Sequence, residues 1–441
     1  MKALDRTTFT TSRLMDFFSR KELIAQTGHQ PDAWPLVVLK ELVDNAIDAC
    51  EDHGIAPEVK IKVDANSISV QDDGPGLPAD TVAKILDYAV RVSSREAYVS
   101  PTRGAQGNAM KTLLAMPFVL DGRQGTVEIV ACGIRHEITV RVDPIRQEPV
   151  IQHQQTKTGI VTKGTFVKIH WPDSASLKLA DASEQFLQIA SDFTFLNPHL
   201  SLSWDWFGGS AAIKATNTTW KKWLPSYPTS PHWYRLENFE RLIAAYLSHD
   251  RSRTVREVVS EFDGLTGTAK QKSVLESTGM ARQPLSALMN GDGLDHDKTQ
   301  LLLDAMQANT RPIKPAALGI IGEQHLQTRF AELGANMETF RYKKVAGVTD
   351  SIPWIIETAF AWNPDTDNQR LITGVNWSPG IVNPFRELGK VGMSLDSVLE
   401  RQRAGNDEPI LLMLHLACAR TEYTDRGKSA VVIGGGDEND E

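Results

Sequence analysis

Glu41, Asn45 and Asp48 recur at i, i+4 and i+7, so in a helix they share one face, opposite an apolar stripe of Leu39, Val43, Ala46 and Cys50. Taken alone, such a face also reads as a solvated one. Thirty residues on, Gln71-Asp72-Asp73-Gly74-Pro75-Gly76-Leu77-Pro78 follows the strand-like SISV. It sets a carboxylate at a strand end beside a backbone free to approach a ligand closely. A third segment, Arg103-Gly104-Ala105-Gln106-Gly107-Asn108-Ala109-Met110-Lys111, puts glycines ahead of the helical run MKTLLAM. Unpaired amides at such a helix start cradle phosphates. No GxxxxGK[ST] pattern occurs, which excludes a Walker-type phosphate loop.

The elements that must position these groups are legible around them. Pro35 suits a first helical turn and Gly54 a stop, which bounds a helix over about 35–53. Val59, Ile61 and Val63 alternate with polar residues, as do Ile68 and Val70 after the turn-forming DANS, predicting a hairpin. Further paired strands are expected over 126–142 around Gly133 and over 164–170. Residues 200–245 are rich in tryptophan and proline. Helical, polar stretches then follow at TVREVVSEF, TAKQKSVLEST and DKTQLLLDAM. After TRPIKPAA, strand-like runs return at SIPWIIETAFAW, RLITGVNW and PILLMLHLACA, with a helix at SLDSVLERQRA. The pattern is α+β, with no internal repeat.

At 441 residues the chain is expected to form several domains, and 41% hydrophobic with 23% charged residues is a globular balance. Cys50, Cys132 and Cys418 are widely spaced, without a CxxC pair, which argues against a disulfide framework or cysteine zinc site and fits a reducing cytoplasm. No stretch has the ~18 apolar residues of a membrane span, so membrane association is not expected. The net charge of −8 gives no overall attraction to nucleic acid, leaving local basic faces as the route to one.

In this order, ELVDNAIDA, DDGPG, RGAQGNA and the pair Gly164-Thr165 resemble the nucleotide-binding boxes of the GHKL superfamily, the gyrase, heat-shock chaperone, histidine kinase and MutL group. The resemblance implies the Bergerat α/β sandwich, an ATP ligand and Mg2+. Glu41 then orients the attacking water and Asn45 ligates magnesium, with Asp48 completing that box. Asp72 accepts from the adenine amino group, Gly74 and Gly76 leave room for the nucleotide, and Thr165 helps seat the base. The segment Gly104, Ala105, Gln106, Gly107, Asn108, Ala109, Met110 and Lys111 holds the phosphates. Ala109 stands where the group has a third glycine, and Lys111 reads either as a phosphate contact or as an exposed helix lysine.

The likeness extends along the chain to the B subunit of topoisomerase VI. It implies an N-terminal strap at 1–30, the ATP-binding domain at 31–245, a helix-two-turn-helix-like helical domain at 246–311, a transducer-like domain at 312–433 and an acidic tail at 434–441. The strap segment includes Leu14, Phe17 and Phe18, and in the family it crosses to the partner protomer. Lys428 matches the lysine that the transducer delivers to the γ-phosphate, a switch that senses whether that phosphate is present. The implied function is an ATP-operated homodimeric clamp acting on double-stranded DNA. No tyrosine nucleophile with an acidic metal cluster is recognisable, so cleavage falls to a separate topoisomerase VI A-like subunit or a nuclease. The family continues into a long helix that joins that subunit, whereas this sequence stops at Glu441, which favours a stand-alone clamp in DNA defence or repair; a stand-alone nucleotide-sensing scaffold without topoisomerase activity is the alternative, weakened by the presence of Glu41.

Arg251, Arg253, Arg256, Lys221 and Lys222 are the candidate phosphate contacts to DNA. A histidine-kinase role is disfavoured, because no helical segment with an acceptor histidine precedes the first box and His29 lies in the loop-like TGHQPD.

Overall fold

The computed structural model describes residues 18–87, 98–103, 109–143, 149–159, 161, 163–291, 293–388, 393–424 and 430–432. The expected strap up to Phe17, the box Gly104 to Asn108, Lys428 and the acidic tail lie outside these residues. No described helix is long and apolar enough to cross a membrane.

The chain enters through α1 (Arg20–Thr27), which is capped by Ser19 accepting from the Glu22 amide and closed by Gly28 in the left-handed region. Phe18, ahead of it, is buried edge-on against Phe118 of the same chain. The expected helix over 35–53 appears as α2 (Trp34–Glu51), with its proline in the first turn. Strands β1 (Glu58–Asp64) and β2 (Ser67–Gln71) form the expected hairpin, with Val63 opposite Ile68. Helices α3 (Ala79–Ile85) and α4 (Ala109–Asp121) follow, then β3 (Gln124–Ala131) and β4 (Ile134–Val142), paired across Gly133 as expected.

Strand β5 (Pro149–Lys157) has no apolar alternation to betray it, and it pairs along β4 as an outer strand. Strand β6 (Thr165–His170) then inserts between β2 and β3. Helices α5 (Ser176–Asp181) and α6 (Ser183–Leu196) lead to β7 (Ser201–Trp206) and β8 (Gly209–Ile213). The resulting eight-stranded sheet has the order β5-β4-β3-β6-β2-β1-β7-β8 and is antiparallel except where β7 runs alongside β1. Its core is built from α2, α4 and α6 against the inward residues Ile61, Val63, Val127, Ile129 and Ile169.

A second core gathers α7 (Leu236–His249), α8 (Val255–Ser260), α9 (Thr268–Ser277), the short pair β9 (Met289–Asn290) and β10 (Gly293–Leu294), and α10 (His296–Ala308). Trp223, Trp233 and Tyr234 belong to this core, and α7 runs straight through residue 246, so the helical region draws on chain well upstream of that point. Aromatic residues in a proline-rich stretch carry no periodicity from which to read this.

The third core lies beneath α11 (Glu323–Glu332) on a second sheet. Its strands are β11 (Arg341–Thr349), β12 (Ile352–Trp362), β13 (Arg370–Val375), β14 (Ser378–Pro379) and, after α12 (Leu395–Arg401), β15 (Ile410–Cys418), in the order β11-β12-β15-β13-β14. Glu357 lies on β12 and is fully buried. It accepts from the amides of Ile321 and Gly322 at the start of α11, each at 2.9 Å, and from the Tyr342 hydroxyl at 2.7 Å. A buried carboxylate is tolerated when donors and a helix N-terminus surround it in this way.

The tightest feature is the two-residue turn between β13 and β14. Val375 pairs with Ser378, and Asn376 and Trp377 both have positive φ, +50° and +65°. A turn of this hand matches the twist of the strands but favours Asn-Gly, and a tryptophan there costs ~1–2 kcal/mol. Tertiary bonds offset the strain. The Trp377 amide donates to His415 Nε2 at 3.2 Å, its carbonyl accepts from Asn197 Nδ2 at 2.9 Å, and Asn376 Oδ1 accepts from the Cys418 amide at 2.9 Å. Trp377 is fully buried. Trp377→Ala is expected to lose about 3–5 kcal/mol of stability, read as a lower midpoint in urea unfolding; a midpoint unchanged from wild type would show that the turn does not bear this load.

Candidate functional site

Helix α2 carries the first box. Asn45 is exposed, Glu41 is half-buried and Asp48 is buried. The face expected to present all three is therefore split. Asp48 turns inward and accepts from Arg103 Nη1 at 2.7 Å. The helix has a second acidic stripe at the same spacing, Asp44, Asp48 and Glu51, and this one faces the interior.

Arg103 is the centre of that interior. Its side chain is fully buried and grips Glu51 with two nitrogens, at 2.7 and 2.8 Å. It also donates to Asn197 Oδ1 and, at 3.5 Å, to the Trp377 carbonyl. Glu51 takes a second cation, Lys222, at 2.8 Å, and His199 Nε2 at 3.0 Å. Lys222 also lies over the Trp377 ring, 4.7 Å from its centre. Farther along α2, Lys40 pairs with Asp44 at 2.7 Å, and both meet the Ser378 hydroxyl. Three carboxylates thus face three cations, so the buried cluster is close to neutral.

The local ionisation follows. Burial works against the Glu51 carboxylate, but Arg103 and Lys222 outweigh it and hold its pKa well below the ordinary 4.5. Burial lowers the His199 pKa, and its Nδ1 has no partner, which fits a neutral ring donating through Nε2. Lys222 is not the surface cation its sequence context suggests, and Arg253 is likewise committed, to Glu261. Arg256 Nε donates to Gln271 at 3.1 Å. Of the basic residues proposed to meet DNA, Lys221, Arg251 and Arg256 are exposed.

Asp72 directly follows β2, at the strand end expected for it. Its Oδ1 accepts from the amides of Gly74, at 2.8 Å, and Thr165, at 3.1 Å, while its own amide donates to the Thr165 carbonyl at 2.9 Å. One carboxylate oxygen is thereby fixed, and the other is aimed by it. Burial raises the Asp72 pKa against these amide bonds. Two glycines make the approach possible. Gly164, at φ +80°, would place a Cβ 1.9 Å from the Asp72 carbonyl oxygen, and Gly76, at φ +87°, would place one 2.9 Å from Cys132 Sγ. Gly164 was expected as the partner of Thr165, and its role is to let β6 close onto the Asp72 backbone. Burial raises the thiol pKa of Cys50, which underlies Gly74, so it stays protonated and unreactive.

Of the third box, Ala109 and Met110 open α4 and are half-buried, Met110 against the core. Lys111 is buried and donates to the Asp87 carbonyl at 2.6 Å, so it is not an exposed helix lysine. The structure therefore brings the first and second boxes, Thr165 and the start of α4 around one sheet face. Sequence reading missed the buried cluster that joins Arg103, Glu51 and Lys222; the signals available were the acidic stripe on α2 and an arginine abutting the glycine box.

The donor set fits a nucleotide: an aimed carboxylate between close-packed glycine backbone for a base, and a helix start for phosphates. Among the described residues, no group of three or more His, Cys, Asp or Glu residues forms a metal site.

Residues 33–174 match the family of histidine kinase-, DNA gyrase B-, and HSP90-like ATPases, and the chain carries an ATPase domain of that family. Over a much longer span it is similar to a particular group within this class. It is 25% identical over 96% of its length to the B subunit of type 2 DNA topoisomerase 6 from Metallosphaera sedula, covering 80% of that protein. It is 21% identical over 94% of its length to the corresponding B subunit from Archaeoglobus fulgidus, covering 69% of it. Among solved structures, the ATPase region of Saccharomyces cerevisiae topoisomerase II aligns with 90% of this chain and 77% of that one, with a TM-score of 0.38 and 11% identity.

Two outcomes test the site. Gly164→Ala is expected to abolish nucleotide binding in a fluorescence titration, because the added methyl cannot fit beside Asp72; retained affinity would refute this packing. For Glu51, whose folded pKa is depressed, the unfolded chain takes up a proton that the folded chain refuses, so its contribution is full above the ordinary value and is lost as pH falls through and below it. Glu51→Gln should be about 3–5 kcal/mol less stable at neutral pH, having stranded two cations, and should show a shallower loss of stability between about pH 5 and 3 in urea unfolding across pH.

Proposed function

We propose that the chain is an ATP-driven clamp that hydrolyses ATP and couples dimer closure to a transaction on double-stranded DNA. The observation that carries this reading is Asp72, fixed through Oδ1 by the Gly74 and Thr165 amides beside the helix that bears Glu41 and Asn45. Phosphoryl transfer to water needs little covalent chemistry from the protein; it needs positioning and neutralisation of charge. Asp72 receives the adenine amino group. Glu41 orients the attacking water, and Asn45 holds magnesium, which when bound neutralises charge on the phosphates. The amides from Gly104 to Asn108, followed by α4, hold the phosphates. Lys111, buried in the first turn of α4 where it donates to the Asp87 carbonyl, is a further phosphate contact.

Lys428 is the proposed switch, carried by the chain beyond β15. Closure follows population-shift logic: ATP favours the closed homodimer only as far as it binds that state more tightly. The units fulfilling these roles are the ATP-binding domain, a helical domain that begins near Trp223, and a transducer-like domain formed by the second sheet. The chain does not itself cut DNA; a separate A-type subunit or nuclease does.

Steady-state ATP hydrolysis with magnesium, with and without double-stranded DNA, tests this. The wild type should turn over and be stimulated by DNA. Glu41→Ala should bind ATP yet lose at least about a hundredfold in kcat. Equal turnover in the two proteins would remove Glu41 from the reaction.

A further inference from the structure

Residues 98–103 lead straight into Gly104, the first residue of the expected phosphate box, and they are held by contacts from elsewhere in the fold. The Tyr98 hydroxyl lies 2.6 Å from the Tyr246 hydroxyl on α7 and 3.4 Å from Glu261 Oε2. Tyr246 donates to the same Glu261 oxygen. Arg253 pairs with the other oxygen of Glu261 and stacks over the Tyr246 ring, 4.2 Å from its centre. One residue later the backbone itself is clamped: the Val99 amide donates to the Tyr234 hydroxyl at 2.9 Å, and its carbonyl accepts from the Thr229 hydroxyl at 2.6 Å. Tyr98 and Val99 both pack against the helical core. At the far end of the segment, the Thr102 carbonyl accepts from Asn376 Nδ2 at 3.5 Å, and Arg103 is fixed in the charged cluster.

We infer that Tyr98 and Tyr246, outside every nucleotide box, are positioning residues for ATP binding: they latch the entry of the phosphate box to the helical core. The inference rests on the ATPase reading above. A backbone cradle works only if its amides are aimed before the phosphates arrive, since mobility in the free state is a cost that binding must meet. The helical core holds the segment that leads into this cradle through hydroxyls and one ion pair in addition to apolar packing. Removing a hydroxyl therefore loosens the segment while leaving both rings and their packing in place.

The test uses the full chain with Tyr98→Phe, Tyr246→Phe, the double variant, and Leu302→Ala as a control in the same helical core, where Leu302 is fully buried. ATP hydrolysis is followed across ATP concentrations, and thermal unfolding is followed alongside. Each tyrosine variant should raise KM about five- to tenfold, the worth of one ordinary hydrogen bond, with kcat within about twofold and a melting temperature close to wild type. The double variant should be no worse than the product of the singles, as members of one network are not additive. Leu302→Ala should lower the melting temperature and leave KM alone. Normal turnover with unaltered KM in both tyrosine variants overturns the latch, as does a KM rise in Leu302→Ala equal to theirs. A wild-type chain without ATP turnover overturns the ATPase reading itself and the inference with it.

Discussion

The burial of the Arg103 guanidinium is the constraint around which the molecule is arranged. Removing an ion of this size from water costs several kcal/mol even after relaxation, and the cost is met only because acceptors come from separate stretches of chain. Asp48 and Glu51 come from the first box helix, Asn197 follows α6, and the Trp377 carbonyl comes from the second sheet. The planar fork suits this work: it binds Glu51 through two nitrogens and has donors left for the others. Lysine could not reproduce that geometry. Since Arg103 is also the residue before the proposed phosphate box, a demand of stability and a proposed demand of function meet at a single position in the chain.

The same cluster explains why an unfavourable turn is kept. Asn376 and Trp377 sit in the left-handed region, a conformation tryptophan does not seek. In exchange, the turn delivers a carbonyl to Asn197 and Arg103, an indole face to Lys222, and Ser378 to the Lys40–Asp44 pair. Strained backbone persists where its surroundings over-determine it, and such places cluster at functional sites. Here the strained element belongs to the second sheet, while Asn197, which holds its carbonyl, follows a helix packed on the first.

What could be read from the sequence was what is local. The α2 stripe, the hairpin of β1 and β2 and the carboxylate at its end, and the alternation in β12 all follow from side-chain period and turn residues close together in the chain. The choice of which acids on α2 face inward was not legible, because Asp44, Asp48 and Glu51 have the same spacing as Glu41, Asn45 and Asp48; only partners tens to hundreds of residues away separate the two stripes. Lys222 reads as a surface cation beside Lys221 for the same reason, and Lys111 reads equally as a phosphate contact or an exposed lysine. β5 escaped notice because its sequence is largely polar, and an outer strand needs only a neighbour's backbone. Of the expected site, Gly104 to Asn108 and Lys428 fall outside the described residues, so what the structure adds is the placement of Asp72, Gly164 and Arg103.

The charged cluster also bears on how such a protein can change over generations. Its compensating charges are scattered among three regions of the chain, so a recombination that replaced only residues 33–174 with those of a relative would bring in new carboxylates while keeping the old Lys222 and Trp377. The heritable module is therefore not the contiguous ATPase segment that sequence similarity outlines, but that segment together with a lysine and a strained turn far downstream.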